Sequence, residues 1–231
     1  MRTLVIDIVG TGIKLLRVDD KGDPLADRQR ELTPHPAWPD PVLELIEEML
    51  GQQEPFDRVS VGFPGVVTKG VVRTAPVLGN EQWHDFDLAK AIGDLTGKPT
   101  RVLNDADLQG YGVIDSKGVE MVLTLGTGLG TALYVDGRLV PNLELGHHPL
   151  KKKKTYQDLV SDAELDRKGK KKWRKRVDLC LSTIERIFNP DRIHIGGGNA
   201  RKLDDDLPAN VRLFDNVEGM AGGVRLWDDD R

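Results

Sequence analysis

Two short apolar runs rich in β-forming residues open the chain, and a glycine-rich segment separates them. The runs cover 2–9 and 14–19, and the segment between them begins Gly10-Thr11-Gly12. This pattern predicts a β-hairpin with a tight turn. The second half of the chain repeats the pattern, with strands predicted over 119–125 and 131–135 around a second glycine-rich turn. Two similar hairpins about half a chain apart indicate an internally duplicated fold.

Helical periodicity marks the segments between the predicted strands. Asp40 is predicted as the N-cap of a first helix and Pro41 as its first residue. Val42, Ile46 and Met49 then follow at helical spacing. The other predicted elements are helices over 87–96 and 173–188 and strands over 57–62, 100–103 and 192–195. Because strands and helices alternate along the chain, the pattern indicates the α/β class.

Composition is typical of a globular protein. Of the 231 residues, 39% are hydrophobic and 30% are charged, and the net charge of −4 gives no global reason to expect a nucleic-acid partner. The single cysteine, Cys180, excludes an internal disulfide and a cysteine-rich metal site. The N-terminal apolar run is short and Asp7 interrupts it, which argues against a signal peptide. No apolar run reaches the roughly 18 residues of a membrane span. We therefore expect a cytoplasmic protein without membrane association.

One stretch departs from this average composition. Residues 151–176 contain 12 lysines and arginines against 4 acidic residues, a local charge of +8 (12 − 4), so the remainder carries −12 (−4 − 8). Clustered cations of this kind bind long polyanions. The alternative is a solvated surface without a partner. The contrast with the acidic remainder favours a track for a polyanion.

Both glycine-rich turns have the composition of a phosphate-binding loop. Convergent backbone N–H groups hold phosphate, and glycine lets the backbone approach a ligand without a clash from Cβ. The alternative is a plain hairpin turn, in which glycine is also common. The candidate phosphate-binding residues are Gly10, Thr11, Gly12 and Lys14 at the first turn and Gly126, Thr127 and Gly128 at the second.

Two aspartates stand where a carboxylate is either costly or well placed for chemistry. Asp7 interrupts an apolar strand, where a carboxylate must be paired or used. Beside phosphate groups it would hold Mg²⁺, which prefers oxygen ligands. Asp105 follows the predicted strand 100–103 and is suited to deprotonate a sugar hydroxyl, with Asn104 available to another hydroxyl. The alternative for Asn104 and Asp105 is a turn or a helix N-cap.

Glu144 and His147 form a further polar group. They are three residues apart, so one helical turn or a tight loop would aim both at adjacent sugar hydroxyls. The alternative is metal binding by His147 and His148. Zinc takes four ligands, often with cysteines among them, and this segment has no cysteine. We therefore expect no zinc.

In order and spacing, these segments resemble the ROK family of sugar kinases, within the actin/hexokinase superfamily. The resemblance implies an α/β, two-lobe actin-like (ribonuclease H-like) fold with mixed sheets and an interlobe cleft. It places an N-terminal lobe in 1–106 and a C-terminal lobe in 107–231, and allows the last residues to pack back on the N-terminal lobe. The matching segments cover nearly the whole chain and are 7–14, 62–67, 103–107, 123–130, 144–147, 189–191 and 196–198.

The resemblance also implies roles for individual residues. Asp105 is the general base, and Asp7 holds Mg²⁺. The residues implied in sugar binding are Gly65, Asn104, Glu144 and His147. Thr124 and the adenosine motif Gly196, Gly197 and Gly198 join both glycine turns in binding the phosphoryl donor.

Within the family, the chain is most similar to the polyphosphate glucokinase branch. The segments that carry this similarity are 103–107, 148–154 and 169–173. The branch implies glucose as the acceptor and polyphosphate, ATP or both as the donor. Family members are commonly dimers, which implies a homodimer. The chain begins at the first phosphate strand without the helix-turn-helix of family repressors, so DNA is not an expected partner.

Some positions depart from the family pattern and leave alternatives open. Val9 stands where glycine is usual, and Val77 where asparagine is frequent, which suits a catalytically impaired sugar- or nucleotide-binding relative. The family's later sugar-binding glutamate has Gln157 or Asp158 as its nearest match. This leaves another hexose as an alternative acceptor.

Overall fold

The computed structural model of the protein describes residues 1–203 and 206–228. The chain divides into two compact units. Unit 1 contains residues 1–112 together with the described residues from 217 onward, and unit 2 contains 113–216.

The chain enters unit 1 first and returns to it at the end. The elements before the boundary are β1 (Thr3–Val9), β2 (Gly12–Val18), β3 (Gln29–Glu31), α1 (Pro39–Leu50), β4 (Arg58–Phe63), β5 (Val67–Thr68), β6 (Val71–Val72), α2 (Asn80–Trp83), α3 (Leu88–Thr96), β7 (Thr100–Asn104) and α4 (Asp105–Val113). Those that follow in unit 2 are β8 (Val119–Leu125), β9 (Leu129–Val135), β10 (Arg138–Val140), β11 (Pro149–Lys151), β12 (Lys154–Thr155), α5 (Tyr156–Val160), α6 (Asp162–Lys168), α7 (Lys170–Phe188), β13 (Arg192–Gly196) and β14 (Val211–Leu213). Helix α8 (Asn216–Arg225) then belongs to unit 1.

Each unit is built on a mixed five-stranded sheet of the same design. The order is β3-β2-β1-β4-β7 in unit 1 and β10-β9-β8-β13-β14 in unit 2. In both sheets an antiparallel hairpin (β1/β2 or β8/β9) is extended by two parallel strands. The duplication indicated by the two glycine-rich hairpins is therefore present in the sheets.

Each unit also has its own hydrophobic core. In unit 1 the buried face of α1 contributes the predicted Val42, Ile46 and Met49. In unit 2 the long helix α7 contributes Val177 and Ile184, among others. Full burial of one such side chain stabilises a fold by about 1.5–3 kcal/mol. The apolar stripes read from the sequence thus form the cores.

Helix α8 packs on α4 at close range. A Cβ atom on Gly112 would lie 2.1 Å from the carbonyl oxygen of Glu218, and one on Gly222 would lie 2.2 Å from that of Leu108. Glycine at both positions lets the two backbones approach each other. The whole of this contact lies in unit 1, so the division falls after Gly112 rather than after residue 106 as predicted.

The start of α1 differs from the prediction. The helix begins at Pro39, and its N-cap is Trp38, which makes no side-chain cap hydrogen bond. Asp40 lies in the first turn, where its charge still favours the positive end of the helix dipole. The fixed φ of Pro39 suits the first helical position, so the helix starts before the expected cap.

Among the described residues, no helix combines the length and the apolar character that crossing a membrane requires.

Candidate active site

Asp7 forms a buried ion pair in the sheet of unit 1. The residue is 2% exposed, and its Oδ2 lies 2.7 Å from Nζ of Lys14, the residue opposite it on β2. Its Oδ1 has no hydrogen-bond partner among the described residues. A buried carboxylate oxygen without a donor is costly unless a ligand or an ion reaches it. Asp7 therefore has one oxygen suited to a cation.

Gly62 brings Asp7 close to Asp105. It lies opposite Asp7 on β1 and opposite Leu103 on β7. A Cβ atom at position 62 would lie 3.2 Å from Cδ2 of Leu108, 3.3 Å from Cα of Asp105 and 3.5 Å from Oδ1 of Asp7. The missing side chain thus lets the carboxylate of Asp7 and the backbone of Asp105 lie close together, with Leu108 beside them. This role of Gly62 could not be predicted from the sequence, because only the strand register reveals its position.

Asn104 positions the start of α4. Its Oδ1 accepts hydrogen bonds from the backbone N–H groups of Ala106 (2.9 Å) and Asp107 (3.2 Å), as an N-cap does. Its side-chain amide donates to the carbonyl oxygen of Gly65 at 3.2 Å. Asp105 is the first residue of α4, and its Oδ1 accepts from the N–H of Ala106 at 2.8 Å. The N-cap alternative is therefore realised by Asn104, and it fixes where Asp105 stands.

Gly65 occupies a position without room for a side chain. A Cβ atom there would lie 2.0 Å from the carbonyl oxygen of Thr74. The hydroxyl of Thr74 accepts a hydrogen bond from the N–H of Val66 at 3.0 Å, which holds the two segments together. Glycine at 65 therefore lets the loop that contacts Asn104 pack against the segment that contains Thr74.

The first glycine turn is the two-residue connection between β1 and β2. A Cβ atom on Gly12 would lie 2.9 Å from Nε of Arg30, so packing explains this glycine. Of the residues that the structure describes, a Cβ atom on Gly10 would meet only Val77, whose side chain would lie 3.6 Å away. The backbone at Gly10 is thus open to a ligand. Val77 is 47% exposed and lies beside this turn.

Glu144 and His147 face each other in unit 2 across the 3₁₀ helix Leu145–His147. Nε2 of His147 lies 3.3 Å from Oε2 of Glu144. Burial raises the pKa of the Glu144 carboxyl above its ordinary value of 4.5, and the nearby His147 opposes this shift. This is the single-turn arrangement expected from the spacing of the two residues.

Gln157 joins this pair to the second glycine turn. Its Nε2 lies 3.4 Å from Nδ1 of His147, and a Cβ atom on Gly128 would lie 2.9 Å from its Oε1. Asp158 instead caps α5, where its carboxylate accepts from the N–H of Thr155 at 2.9 Å. Of the two candidates in the sequence, Gln157 is the neighbour of the Glu144–His147 pair.

The second glycine turn, the triple-glycine segment and the start of α6 lie together. The carbonyl oxygen of Gly126 accepts from the N–H of Asp162 at 2.9 Å, and the side-chain amide of Asn199 donates to Oδ1 of Asp162. Gly197 has a φ of +86°, a conformation that favours glycine. Among the described residues, a Cβ atom on Gly126 or Gly198 would meet nothing within 4 Å. The space beside these two glycines is therefore open, and Asp162 and Asn199 are supporting residues that the sequence did not suggest.

The remaining residues expected at the donor site are fixed by the sheet of unit 2. Thr124 lies on β8 opposite Gly130 on β9 and Gly196 on β13. A Cβ atom on Gly196 would lie 2.2 Å from the ring of Phe214, so packing explains this glycine. Thr127 is exposed at the second turn.

The basic stretch contains internally paired cations and exposed lysines. Glu164 is 5% exposed and forms ion pairs with Arg167 (2.6 Å), Arg176 and Lys154 (3.8 Å). Arg174 pairs with an aspartate on α7, at 2.8 Å. The same stretch carries the two residues that contact the second glycine turn. Its exposed lysines are Lys151, Lys152, Lys153, Lys154, Lys170, Lys171, Lys172 and Lys175.

Within residues 1–203 and 206–228, one group brings three potential metal ligands together, namely Asp115, Glu120 and His194. The Glu120 carboxylate accepts from the backbone N–H groups of Asp115 (2.8 Å) and Lys117 (3.1 Å) and lies 2.8 Å from Nε2 of His194. These contacts explain Glu120 as a buried carboxylate that closes a turn.

The expected absence of zinc stays a prediction. Elemental analysis of the purified protein should find zinc well below one equivalent, and stoichiometric zinc would contradict the prediction.

In sequence, the chain is similar to sugar kinases. The profile described as "ROK family" matches residues 3–158. The polyphosphate glucokinase of Mycobacterium tuberculosis is 38% identical over 235 residues, which cover 95% of this chain and 88% of that protein. The N-acetylmannosamine kinase of Citrobacter koseri is 33% identical over 159 residues, which cover 64% of this chain and 54% of that one.

Solved structures show the same likeness. The inorganic polyphosphate/ATP-glucomannokinase from Arthrobacter sp. strain KM has a TM-score of 0.86 at 32% identity, with 97% of both chains covered. A ROK family glucokinase from Streptomyces griseus, in complex with glucose and AMPPNP, has a TM-score of 0.80 at 19% identity, with 98% of this chain and 99% of that one covered. The actin-like α/β fold with mixed sheets expected from the sequence is confirmed.

Proposed function

Because the chain belongs to the ROK family, we propose that it is a kinase that transfers a phosphoryl group from polyphosphate or ATP to a hydroxyl group of glucose. The observation that carries the proposal is the arrangement around Gly62. One aspartate there begins a helix at the end of a parallel strand, and another has a buried oxygen without a donor among the described residues. The relatives named polyphosphate glucokinase support the choice of substrates.

Asp105 acts as the general base in this proposal. Its carboxylate accepts the proton of the sugar hydroxyl while the hydroxyl oxygen bonds to phosphorus and the bond from phosphorus to the donor's leaving oxygen breaks. Glu144 and His147 bind further hydroxyls of the sugar. The open backbone at Gly10 donates its N–H group to a phosphate oxygen, where charge develops in the transition state.

Mg²⁺ fits the residues around Asp7. It binds proteins through one or two carboxylates and keeps substrate phosphates and water as its other ligands. Oδ1 of Asp7 offers one such oxygen, while Lys14 neutralises the other. The bound ion supplies positive charge that offsets the charge of the transferred phosphoryl group. Asp7 holds it directly or through water.

A coupled assay with each donor tests the proposed function. The purified protein is given glucose with ATP or with polyphosphate, and mass spectrometry detects the phosphorylated sugar. Mannose and N-acetylmannosamine serve as comparison acceptors. We expect glucose to be phosphorylated with at least one donor. Sugar binding without turnover with either donor would contradict the proposal and favour the impaired binding protein suggested by Val9 and Val77.

The exposed lysines of the basic stretch favour polyphosphate as a donor. The stretch contacts the second glycine turn through Gln157 and Asp162. Eight lysines of the stretch are exposed, so their charges face solvent. A polyanion lying along these lysines releases counterions, so its binding weakens as salt rises.

Glucose binding should weaken at low pH through Glu144. Burial raises the pKa of this carboxyl, so on acidification it takes up a proton before an exposed glutamate does. A hydrogen bond to a carboxylate is roughly twice as strong as one to a neutral acceptor. The KM for glucose should therefore rise as the pH falls through the raised pKa. Glu144→Gln should show a high KM with no such dependence; a variant profile that matches the wild type would contradict the role.

A further inference from the structure

His147 lies between two partners of different hydrogen-bonding character. On one side, Oε2 of Glu144 lies 3.3 Å from its Nε2. On the other side, Nε2 of Gln157 lies 3.4 Å from its Nδ1. An ionised carboxylate only accepts hydrogen bonds, whereas the NH₂ group of a carboxamide donates them.

A neutral imidazole has one N–H and one nitrogen lone pair. The carboxylate of Glu144 requires the hydrogen to be on Nε2, which leaves the lone pair on Nδ1 to accept from Gln157. We propose that Gln157 is a positioning residue that holds His147 in the neutral tautomer protonated on Nε2 and so directs this N–H to Glu144. The inference rests on the proposed function, since it assigns Gln157 to the sugar-binding group.

The Gln157 amide lies between the second glycine turn and His147. A Cβ atom on Gly128 would lie 2.9 Å from Oε1 of Gln157, so this oxygen faces the turn while the nitrogen faces His147. The capping box of Thr155 and Asp158 fixes the start of α5, which carries Gln157. One side chain therefore connects a phosphate-binding turn to a sugar-binding histidine.

The charged groups around His147 determine what a change at 157 does. The carboxylate of Glu144 is its direct neighbour, and the carboxylate of Asp158 is also close enough to interact with it electrostatically. Gln157→Glu would place a further carboxylate beside Nδ1. A carboxylate there accepts a hydrogen bond instead of donating one, and it stabilises the doubly protonated imidazolium.

Long-range ¹H–¹⁵N NMR of the histidine side chains tests the proposal directly. The His147 signals are assigned by their loss in His147→Asn. In the wild type above the titration range, we expect the pattern of an imidazole protonated on Nε2. In Gln157→Glu, whose carboxylate accepts a hydrogen bond from Nδ1, the fraction of His147 with hydrogen on Nδ1 should increase. In Gln157→Leu, which removes the donor to Nδ1, the preference for the Nε2 tautomer should decrease. Gln52→Glu makes the same charge change at an exposed position of unit 1 and should leave the His147 signals unchanged.

Kinetics provide the second measurement. Near neutral pH, Gln157→Glu should raise the KM for glucose several-fold with a much smaller effect on the KM for the donor. An Nδ1-protonated His147 in the wild type, or His147 signals in Gln157→Glu that match those of the wild type, would overturn the proposal. If no sugar is phosphorylated, the proposed function fails while the NMR spectrum still reports the tautomer, so the two failures are distinguishable. Circular dichroism of both variants excludes misfolding as the cause of a change.

Discussion

Replacing Asp105 with asparagine should lower kcat for sugar phosphorylation by about 10²–10⁴-fold, the range found for general-base groups. An amide cannot take the proton of the attacking hydroxyl. Its oxygen can still accept the hydrogen bond that Oδ1 of Asp105 receives from the N–H of Ala106 at 2.8 Å. The start of α4 should therefore be retained, and glucose binding measured by calorimetry should change little.

Asp27→Asn is the matched control, because it makes the same chemical change at an exposed position of unit 1. Its kcat should equal that of the wild type. If Asp105→Asn keeps more than about a tenth of wild-type turnover, the residue is not the general base. If Asp105→Asn loses glucose binding and the circular dichroism spectrum of a folded protein as well as activity, the loss of activity results from misfolding.

Reversing the charge of Lys171, Lys172 and Lys175 to glutamate should reduce the use of long polyphosphate far more than the use of ATP. All three are exposed on α7. The change replaces three attractions by three repulsions along a polyanion, and we expect kcat/KM for polyphosphate to fall by about 10²-fold or more at low salt. The difference between variant and wild type should shrink as salt rises, since screening removes the same interaction.

A second triple reversal controls for net charge. Lys21, Lys69 and Lys98 are exposed on unit 1, outside the basic stretch. Reversing them changes the net charge by the same amount but should affect polyphosphate use little. Equal losses in both triple variants would mean that overall charge, and not a track on α7, controls the donor. If the α7 reversal leaves polyphosphate activity unchanged, the basic stretch is a solvated surface without a polyanion partner.

Features that depend on local periodicity could be predicted from the sequence. Strand β8 has the predicted bounds 119–125, and the long helix ends at Phe188 as predicted, before Asn189 in the left-handed conformation that stops a helix. The start of α1 was predicted wrongly because two prolines, Pro39 and Pro41, give the same local signal. The types of the predicted elements therefore followed from the sequence, while several starts did not, since β2 begins at Gly12 and α7 at Lys170.

Contacts between distant segments could not be predicted in this way. The position of Gly62 between Asp7 and Asp105 depends on the register of three strands. The choice of Gln157 over Asp158 depends on which of two adjacent side chains α5 turns toward His147. Counting charges in the sequence likewise does not distinguish the cations of the basic stretch that form ion pairs from those that are exposed.

The contact of α8 with unit 1 has a consequence for the order in which the protein folds during synthesis. The hydroxyl of Ser60 donates to the carbonyl oxygen of Gly223 at 2.6 Å and accepts from Nε1 of Trp227 at 2.8 Å, so a buried part of unit 1 is completed by residues made after unit 2. At about 5–20 residues per second, the ribosome needs roughly 5–20 s to pass from the end of α4 to α8. Unit 2 is contiguous and can close in that interval. The unit that emerges first is therefore the last to complete its core, and until then its α4 surface is exposed to chaperones and proteases.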